Sequence, residues 1–150
     1  MTHTLTIRNA THSDAPRLAE LSAMLGYPQP PERLAATLAR VLGRSGEVVL
    51  VADLGHGQAI GWLHGAEQEL LETGRSCEIL GLVVDASHRG VGAGRKLVDA
   101  IESWARDRGI ESVSVRSNVV RVEAHPFYLR MGFDRVKTQH AYRKSVSPTS

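Results

Sequence analysis

The chain reads as an α/β protein of the α+β type, with a mixed, mostly antiparallel sheet of about seven strands flanked by four helices. Three observations predict this. The hydrophobic periods run in the order β-α-α-β-β-β-α-β-α-β-β, which is neither a strict strand–helix alternation nor all-β. A glycine-dense turn, Arg89-Gly90-Val91-Gly92-Ala93-Gly94, joins an apolar run (Ile79 to Val84) to an amphipathic segment (Arg95 to Arg108). The length, 150 residues with 42% hydrophobic and 23% charged content, suits one domain, 1–150, with its own core.

The elements follow in order. Leu5 and Ile7 alternate with Thr4, Thr6 and Arg8, a short strand. Thr11 and Asp14 are spaced as a helix-opening capping box, with Ser13 as the rival cap. Leu18, Leu21 and Leu25 then recur at helical spacing until Gly26. Three prolines stiffen the loop Tyr27 to Pro31, and Pro31 opens a second helix with Leu34, Leu38, Val41 and Leu42 on one stripe. Glu47 to Asp53 and Gln58 to Ala66 are strands joined by the turn Gly55-His56-Gly57. Glu67 to Gly74 is read as a polar loop, and Ser76 to Asp85 as the fourth strand. After the glycine turn, Leu97, Ala100, Ile101, Trp104 and Ala105 share one helical face that Gly109 ends. Glu111 to Arg116 is a fifth strand, and Val122 to Met131 a short helix closed by Gly132. Phe133 to Val136 and Thr138 to Lys144 read as final strands, and the polar tail from Ser145 to Ser150 is expected to fray.

Composition narrows the function classes. A net charge of +2 is too weak for nucleic-acid binding, which needs a concentrated basic face. The single cysteine, Cys77, excludes an internal disulfide and fits a reducing cytoplasm. The first residues lack a charged segment followed by an apolar one, so no signal peptide is expected. No apolar run approaches membrane-spanning length, and no membrane partner is expected. No His/Cys cluster has metal-ligand spacing, so no metal is expected.

The glycine turn carries the functional signal. Glycines reach positive φ and let a ligand approach the backbone, while a helix N-terminus offers free N–H groups to an anion. A Walker A loop would need Gly-Lys-Ser/Thr, whereas Gly94-Arg95-Lys96-Leu97 lacks the hydroxyl and misplaces the lysine. A dinucleotide fingerprint would need its third glycine one position later, and Glu111 begins its strand rather than ending it. The third pattern is R-x-x-G-x-G: Arg89, Gly92 and Gly94. It is followed by Asn118 and by the block Ala124-His-Pro-Phe-Tyr-Leu-Arg-Met-Gly-Phe133. Together with the element order, these motifs resemble the GNAT superfamily, the Gcn5-related N-acetyltransferases, over nearly the whole chain.

The resemblance implies the acyl-CoA N-acyltransferase fold and acetyl-CoA as co-substrate. It implies that Arg89, Gly90, Val91, Gly92, Ala93 and Gly94 wrap the pyrophosphate. Leu82, Val83 and Val84 would pair with pantetheine as an added strand would. Gly81 is the expected bulge before them. Asn118 would bond the cofactor, and Tyr128 would protonate the leaving thiolate. Glu78, eleven residues before Arg89, holds the place of a base glutamate in the histone-acetylating branch. Its task would be to deprotonate an ammonium whose pKa is about 10, directly or through water. A strand-four N–H near Leu82 or Val83 would stabilise the oxyanion.

The implied reaction is direct acetyl transfer to a primary amine of a small molecule or peptide in a ternary complex. A non-catalytic acyl-CoA-binding or regulatory module on the same fold is the alternative, since fold does not settle function. Plainer readings stand beside each residue. The glycine loop is then a simple turn, Tyr128 a packed aromatic, Glu78 a solvated carboxylate and His125 a surface group. Cys77 reads as a buried filler, Trp104 as core, and Trp62 as core or substrate wall. The acidic run Glu67, Glu69 and Glu72 either attracts a cationic acceptor or is a solvated loop. Homodimers are frequent in this family, and the sequence neither supports nor opposes one.

Overall fold

In the computed structural model, which describes residues 4–88, 90–116 and 124–148, the sheet begins with β1 (Thr6–Asn9). β1 lies antiparallel to β2 (Glu47–Asp53), which lies antiparallel to β3 (Ala59–Leu70). β3 in turn lies antiparallel to β4 (Gly74–Val84). A short β5 (Val113–Val115) joins β4 in parallel, and the sheet order is β1-β2-β3-β4-β5. The chain divides into two compact units, Met1–Arg116 and Ser117–Ser150. The whole sheet lies in the first.

The capping box works as read. The Thr11 N–H donates to Asp14 at 2.8 Å and opens a 3-10 turn, His12–Asp14, that runs into α1 (Ala15–Met24). Arg8 locks this corner. Its guanidinium donates to both Asp14 oxygens at 2.9 Å and to Asp53 at 2.9 Å, tying β1, β2 and the start of α1 with charge-assisted bonds. α2 (Pro31–Leu42) starts at its proline, as expected.

The two faces of the sheet are built differently. Strand side chains alternate, so Val49, Val51 and Val83 face α1 and α2, where they pack with Leu18, Leu21, Leu38 and Val41. Gly61 and Gly65 turn to the other face, beneath Leu97 and Ile101 of α3 (Ala93–Asp107). A Cβ at Gly65 would strike the Ile101 side chain, so a glycine is what lets α3 seat closely on β3. α3 ends in a Schellman motif: Ile110 N–H donates to the Ala105 carbonyl at 2.9 Å and Gly109 takes φ +73°.

Three expectations need correction. Glu67 to Gly74 is not a loop: β3 continues to Leu70 and β4 starts at Gly74. Glu67 bonds Arg75 across the ladder and Arg108 at 3.0 Å, so its charge is matched in a strand. The fifth strand is only Val113–Val115 rather than Glu111 to Arg116. Phe133 to Val136 and Thr138 to Lys144 are not strands, and among the described residues the sheet has five. Beyond the half-buried Phe133 their alternation buries nothing. Val136 is 85% exposed and Tyr142 93%, and without a covered face a period of two has no stabilising partner.

The second unit contains α4 (Ala124–Arg130). Gly132, at φ +90°, closes it: Phe133 N–H donates to the Tyr128 carbonyl at 3.0 Å.

Candidate active site

β4 is paired unequally along its length. β3 accompanies it from Gly74 to Val84, but β5 pairs only with Cys77, Glu78 and Ile79. From Leu80 onward one edge of β4 meets no strand among the described residues. The register shifts where β5 stops: Gly65 faces Ile79 and His64 faces Gly81, leaving Leu80 as the extra residue of a bulge. The bulge therefore sits one residue before the expected Gly81. Gly81 is required for another reason: a Cβ there would lie 2.8 and 2.9 Å from Cζ3 and Cη2 of Trp62.

The open edge is specific about which amides it offers. The Asp85 N–H donates to the Ile60 carbonyl of the β3 side at 2.8 Å. Backbone groups alternate along a strand, so Val83 also turns its amide to β3, while Leu82 and Val84 turn theirs outward. Of the three residues expected to meet pantetheine, two face the open edge and Val83 does not. The Val83 side chain is instead part of the core under α1 and α2.

β4 then passes into the glycine turn through Asp85. This buried carboxylate accepts the Ser87 N–H at 3.0 Å and the Ser87 hydroxyl at 2.8 Å, and it lies 3.3 Å from His88 Nδ1. The Ser87 backbone bond, then the Ser87 hydroxyl, hold its carboxyl below the usual range. A 3-10 turn, Ala86–His88, follows. Gly90 and Gly92 take φ +92° and +80°, and a side chain at either would meet nothing within 4 Å, so the backbone is bare there. Gly92 caps α3 in the left-handed conformation. The first bond of the helix runs from the Lys96 N–H to the Gly92 carbonyl at 3.0 Å, which leaves the amides of Ala93, Gly94 and Arg95 without helical partners. Val91 is 45% exposed. Beside the turn lies an open hollow of about 580 Å³ bordered by His88, Val91 and Lys96. These groups can cradle a polyanion: bare glycine backbone, a helix N-terminus and a lysine.

The candidate acid–base residues sit as follows. Glu78 faces Ala66 and Ser114 in the ladder; it is buried, and its Oε1 lies 3.1 Å from Nε of the exposed Arg116. It is not a solvated surface carboxylate. Cys77 is fully buried, and burial pushes its thiol up to about 11, as befits inert filler. Tyr128 is the fifth residue of α4, half-buried between Phe127 (5.3 Å) and Phe133 (5.8 Å), both edge-on. Arg89, Asn118 and the side chain of His125 lie outside the described residues.

Three groups were not singled out from sequence. His64 Nε2 lies 2.8 Å from Glu47 Oε1, and Arg44 donates to the other Glu47 oxygen at 2.9 Å. Burial raises Glu47, but the bonds from Arg44 and His64 outweigh it and hold the carboxyl below its usual range. His64 and Trp62 also wall a pocket of about 150 Å³ with Leu18, Ser22, Leu34 and Thr37 of α1 and α2. Trp62 Nε1 is buried without a hydrogen-bond partner among the described residues, which costs about 1–3 kcal/mol. The third omission, Asp85, had a signal: Asp-x-Ser is a side-chain turn motif. The pairing of His64 with Glu47 spans 17 positions and had none.

Comparison with known proteins adds to this geometry. The acetyltransferase (GNAT) family matches residues 13–133. An aminoglycoside N(6')-acetyltransferase type 1 of Stenotrophomonas maltophilia is 28% identical over 152 residues, covering 97% of this chain and 96% of its own. An uncharacterized N-acetyltransferase of Bacillus subtilis (strain 168) is 36% identical over 77 residues, 51% of this chain and 53% of the relative. The crystal structure of an aminoglycoside 6'-N-acetyltransferase from Acinetobacter baumannii has a TM-score of 0.84 at 17% identity, covering 96% of this chain and all of that one. An aminoglycoside N-acetyltransferase solved with CoA has a TM-score of 0.84 at 18% identity, covering 95% and 96%. At such identities the structural likeness speaks to fold alone. Among the described residues no three His, Cys, Asp or Glu side chains could hold a metal, and no helix is long and apolar enough to cross a membrane.

Proposed function

Because the chain belongs to the GNAT family of acetyltransferases, we propose that it moves the acetyl group of acetyl-CoA directly to a primary amine of a small molecule or peptide, within a ternary complex. The observation that carries this reading is the open edge of β4 running straight into the bare glycine turn. An extended pantetheine has amides that complement the outward groups of Leu82 and Val84. Its pyrophosphate suits the N–H groups from Gly90 to Gly94, and Arg89 and Asn118 take the supporting roles that the family motif gives them.

In this mechanism the thioester carbonyl accepts the Leu82 N–H, which steadies the negative charge that develops on oxygen. Glu78 takes a proton from the incoming ammonium, directly or through water. The neutral amine attacks, the nitrogen gives up its second proton to water or a neighbouring base, the carbon–sulfur bond breaks, and Tyr128 protonates the sulfur. A relative matched over 96% of its length acts, by its name, on an aminoglycoside, which supports a small amine as the acceptor.

The test is a melting-temperature series with acetyl-CoA, CoA, NADH and ATP at one concentration. A ligand at about 100 times its Kd adds roughly 2.7 kcal/mol to the folded state. A shift with acetyl-CoA and CoA only, followed by amine-dependent thiol release that Tyr128→Phe lowers about 10²-fold or more, is expected. A shift with NADH alone, or with none, overturns the reading.

A further inference from the structure

We infer that His64, held by Glu47, is a second proton acceptor in the reaction and takes the proton that the nitrogen loses as the carbon–nitrogen bond forms. The inference rests on the acetyltransferase reading and extends it. Converting an ammonium into an amide removes two protons from nitrogen. One leaves before attack, because only the neutral amine has a lone pair. The other leaves as the carbon–nitrogen bond forms. Glu78 accounts for the first, and one carboxylate cannot take both in succession without an outlet.

Four observations place His64 in the second role. It stands in register with Gly81, next to the outward amide of Leu82, whereas Glu78 lies on the far side of the Leu80 bulge. Strand alternation puts Glu47, His64 and Glu78 on the same face of the sheet, the face of α1 and α2. The His64 ring lines the 150 Å³ pocket there, a volume that elsewhere holds one six-membered ring and so suits the reacting end of an amine. Finally, Glu47 is an ionised acceptor for Nε2–H, so the neutral ring keeps its lone pair on Nδ1, which has no partner among the described residues.

This is the division of labour of a histidine oriented by a carboxylate: Glu47 fixes the tautomer and steadies the imidazolium once it forms. The charged groups around the ring are Glu47 from β2, Arg44 behind it, and Glu78 with Arg116 on the same face. The α1 and α2 residues that line the pocket are all uncharged. The protons balance. Glu78 and His64 each gain one, sulfur gains one from Tyr128, and re-protonating Tyr128 leaves one net proton for solvent.

The test uses the full chain, acetyl-CoA, and kanamycin, spermidine and tyramine as acceptors, with thiol release as readout. His64→Gln should lower kcat about 10²-fold, leave acetyl-CoA affinity unchanged, and remove the acid limb from the pH profile of kcat. Added imidazole should restore part of the rate. Glu47→Gln should cost about tenfold, the smaller effect of a positioning residue. Slow hydrolysis of acetyl-CoA, with water in the place of the amine, is a second readout that needs no acceptor and should slow in the same variants. A His64→Gln enzyme that keeps its rate, or keeps the acid limb while Glu78→Gln loses it, overturns this inference alone. A wild-type chain that does not bind acetyl-CoA overturns it together with the acetyltransferase reading.

Discussion

The two halves of β4 differ in what surrounds them. In the half from Gly74 to Ile79, β3 follows the whole length and β5 adds a second neighbour at Cys77 to Ile79, Cys77 and Ile79 are buried, and Glu67 clamps Arg75 and Arg108 beside it. From Leu80 to Val84 it has, among the described residues, a neighbouring strand on one edge only, and the chain leaves it for the glycine turn. The first half spends its backbone groups on the fold. The second holds some of them back, and a group left unpaired in the fold is one that a ligand can use. The bulge at Leu80 marks the boundary. Substitutions in the first half should therefore change stability, and those in the second should change binding and rate.

The largest effect is expected in the closed half. Ile79→Ala removes a buried side chain and should cost about 2–5 kcal/mol by denaturant unfolding. Acetyl-CoA affinity, measured by calorimetry on the folded variant, should stay within about twofold of wild type, since Ile79 belongs neither to the open edge nor to the glycine turn and shares no proposed ligand contact with them. A tenfold loss of affinity would mean that the halves are not separable.

The next comparison lies inside the open half. Leu82→Pro removes an amide from the unpaired edge, whereas Val83→Pro removes one that β3 uses. Leu82→Pro should lower kcat about 10²–10³-fold, as the loss of an oxyanion donor does, with a modest fall in melting temperature. Val83→Pro should lower the melting temperature more, because it breaks the ladder. If the two behave alike, the Leu82 amide does not face the open edge.

A smaller effect is expected where the strand ends. Gly92 sits at φ +80°, and a Cβ there costs about 1–2 kcal/mol. Gly92→Ala should weaken acetyl-CoA about tenfold by calorimetry, if relaxing the turn spoils the cradle rather than the fold. An unchanged affinity with a lowered melting temperature would make the loop a plain turn.

The same contrast explains what could be read from the sequence. Local chemistry was legible. The Thr11–Asp14 box, proline at the head of α2 and glycine at the ends of α1, α3 and α4 act over a few residues, and the glycine turn is contiguous. Long-range chemistry was not. Nothing near Glu67 announces that Arg108, 41 positions on, will match its charge and let β3 run on to Leu70. Gly81 suggested a bulge because glycine in a strand often marks one. Its real constraint is the ring of Trp62, a diagonal neighbour across the ladder. The converse error fell at the C-terminus, where Phe133 to Lys144 alternate well enough to suggest strands but, beyond the half-buried Phe133, are exposed throughout. Of the proposed site, the cradle and Glu78 were visible as motif positions. The pair of His64 and Glu47 was not, because two ordinary strand residues meet there only through the register.

The smallest effect concerns the joint between the open half and the cradle. Asp85 accepts two bonds from Ser87 that favour its charged form, so its pKa is lower in the folded than in the unfolded chain. A depressed carboxyl stabilises the fold at pH values above its unfolded pKa of about 3.9. That contribution is lost as the pH falls through the folded pKa. Asp85→Asn keeps an acceptor for Ser87 but cannot titrate. Its melting temperature should therefore fall less steeply than that of the wild type below about pH 4, while a slope from Asp14 and Asp53, which are also depressed, remains. At neutral pH acetyl-CoA affinity should change less than in Gly92→Ala, because Asp85 shapes the approach to the turn without being one of its N–H donors. A variant whose acid profile matches the wild type would remove Asp85 from the joint. The glycine turn would then be held by α3 alone, and the open half of β4 would end at Val84 with no control over the geometry beyond it.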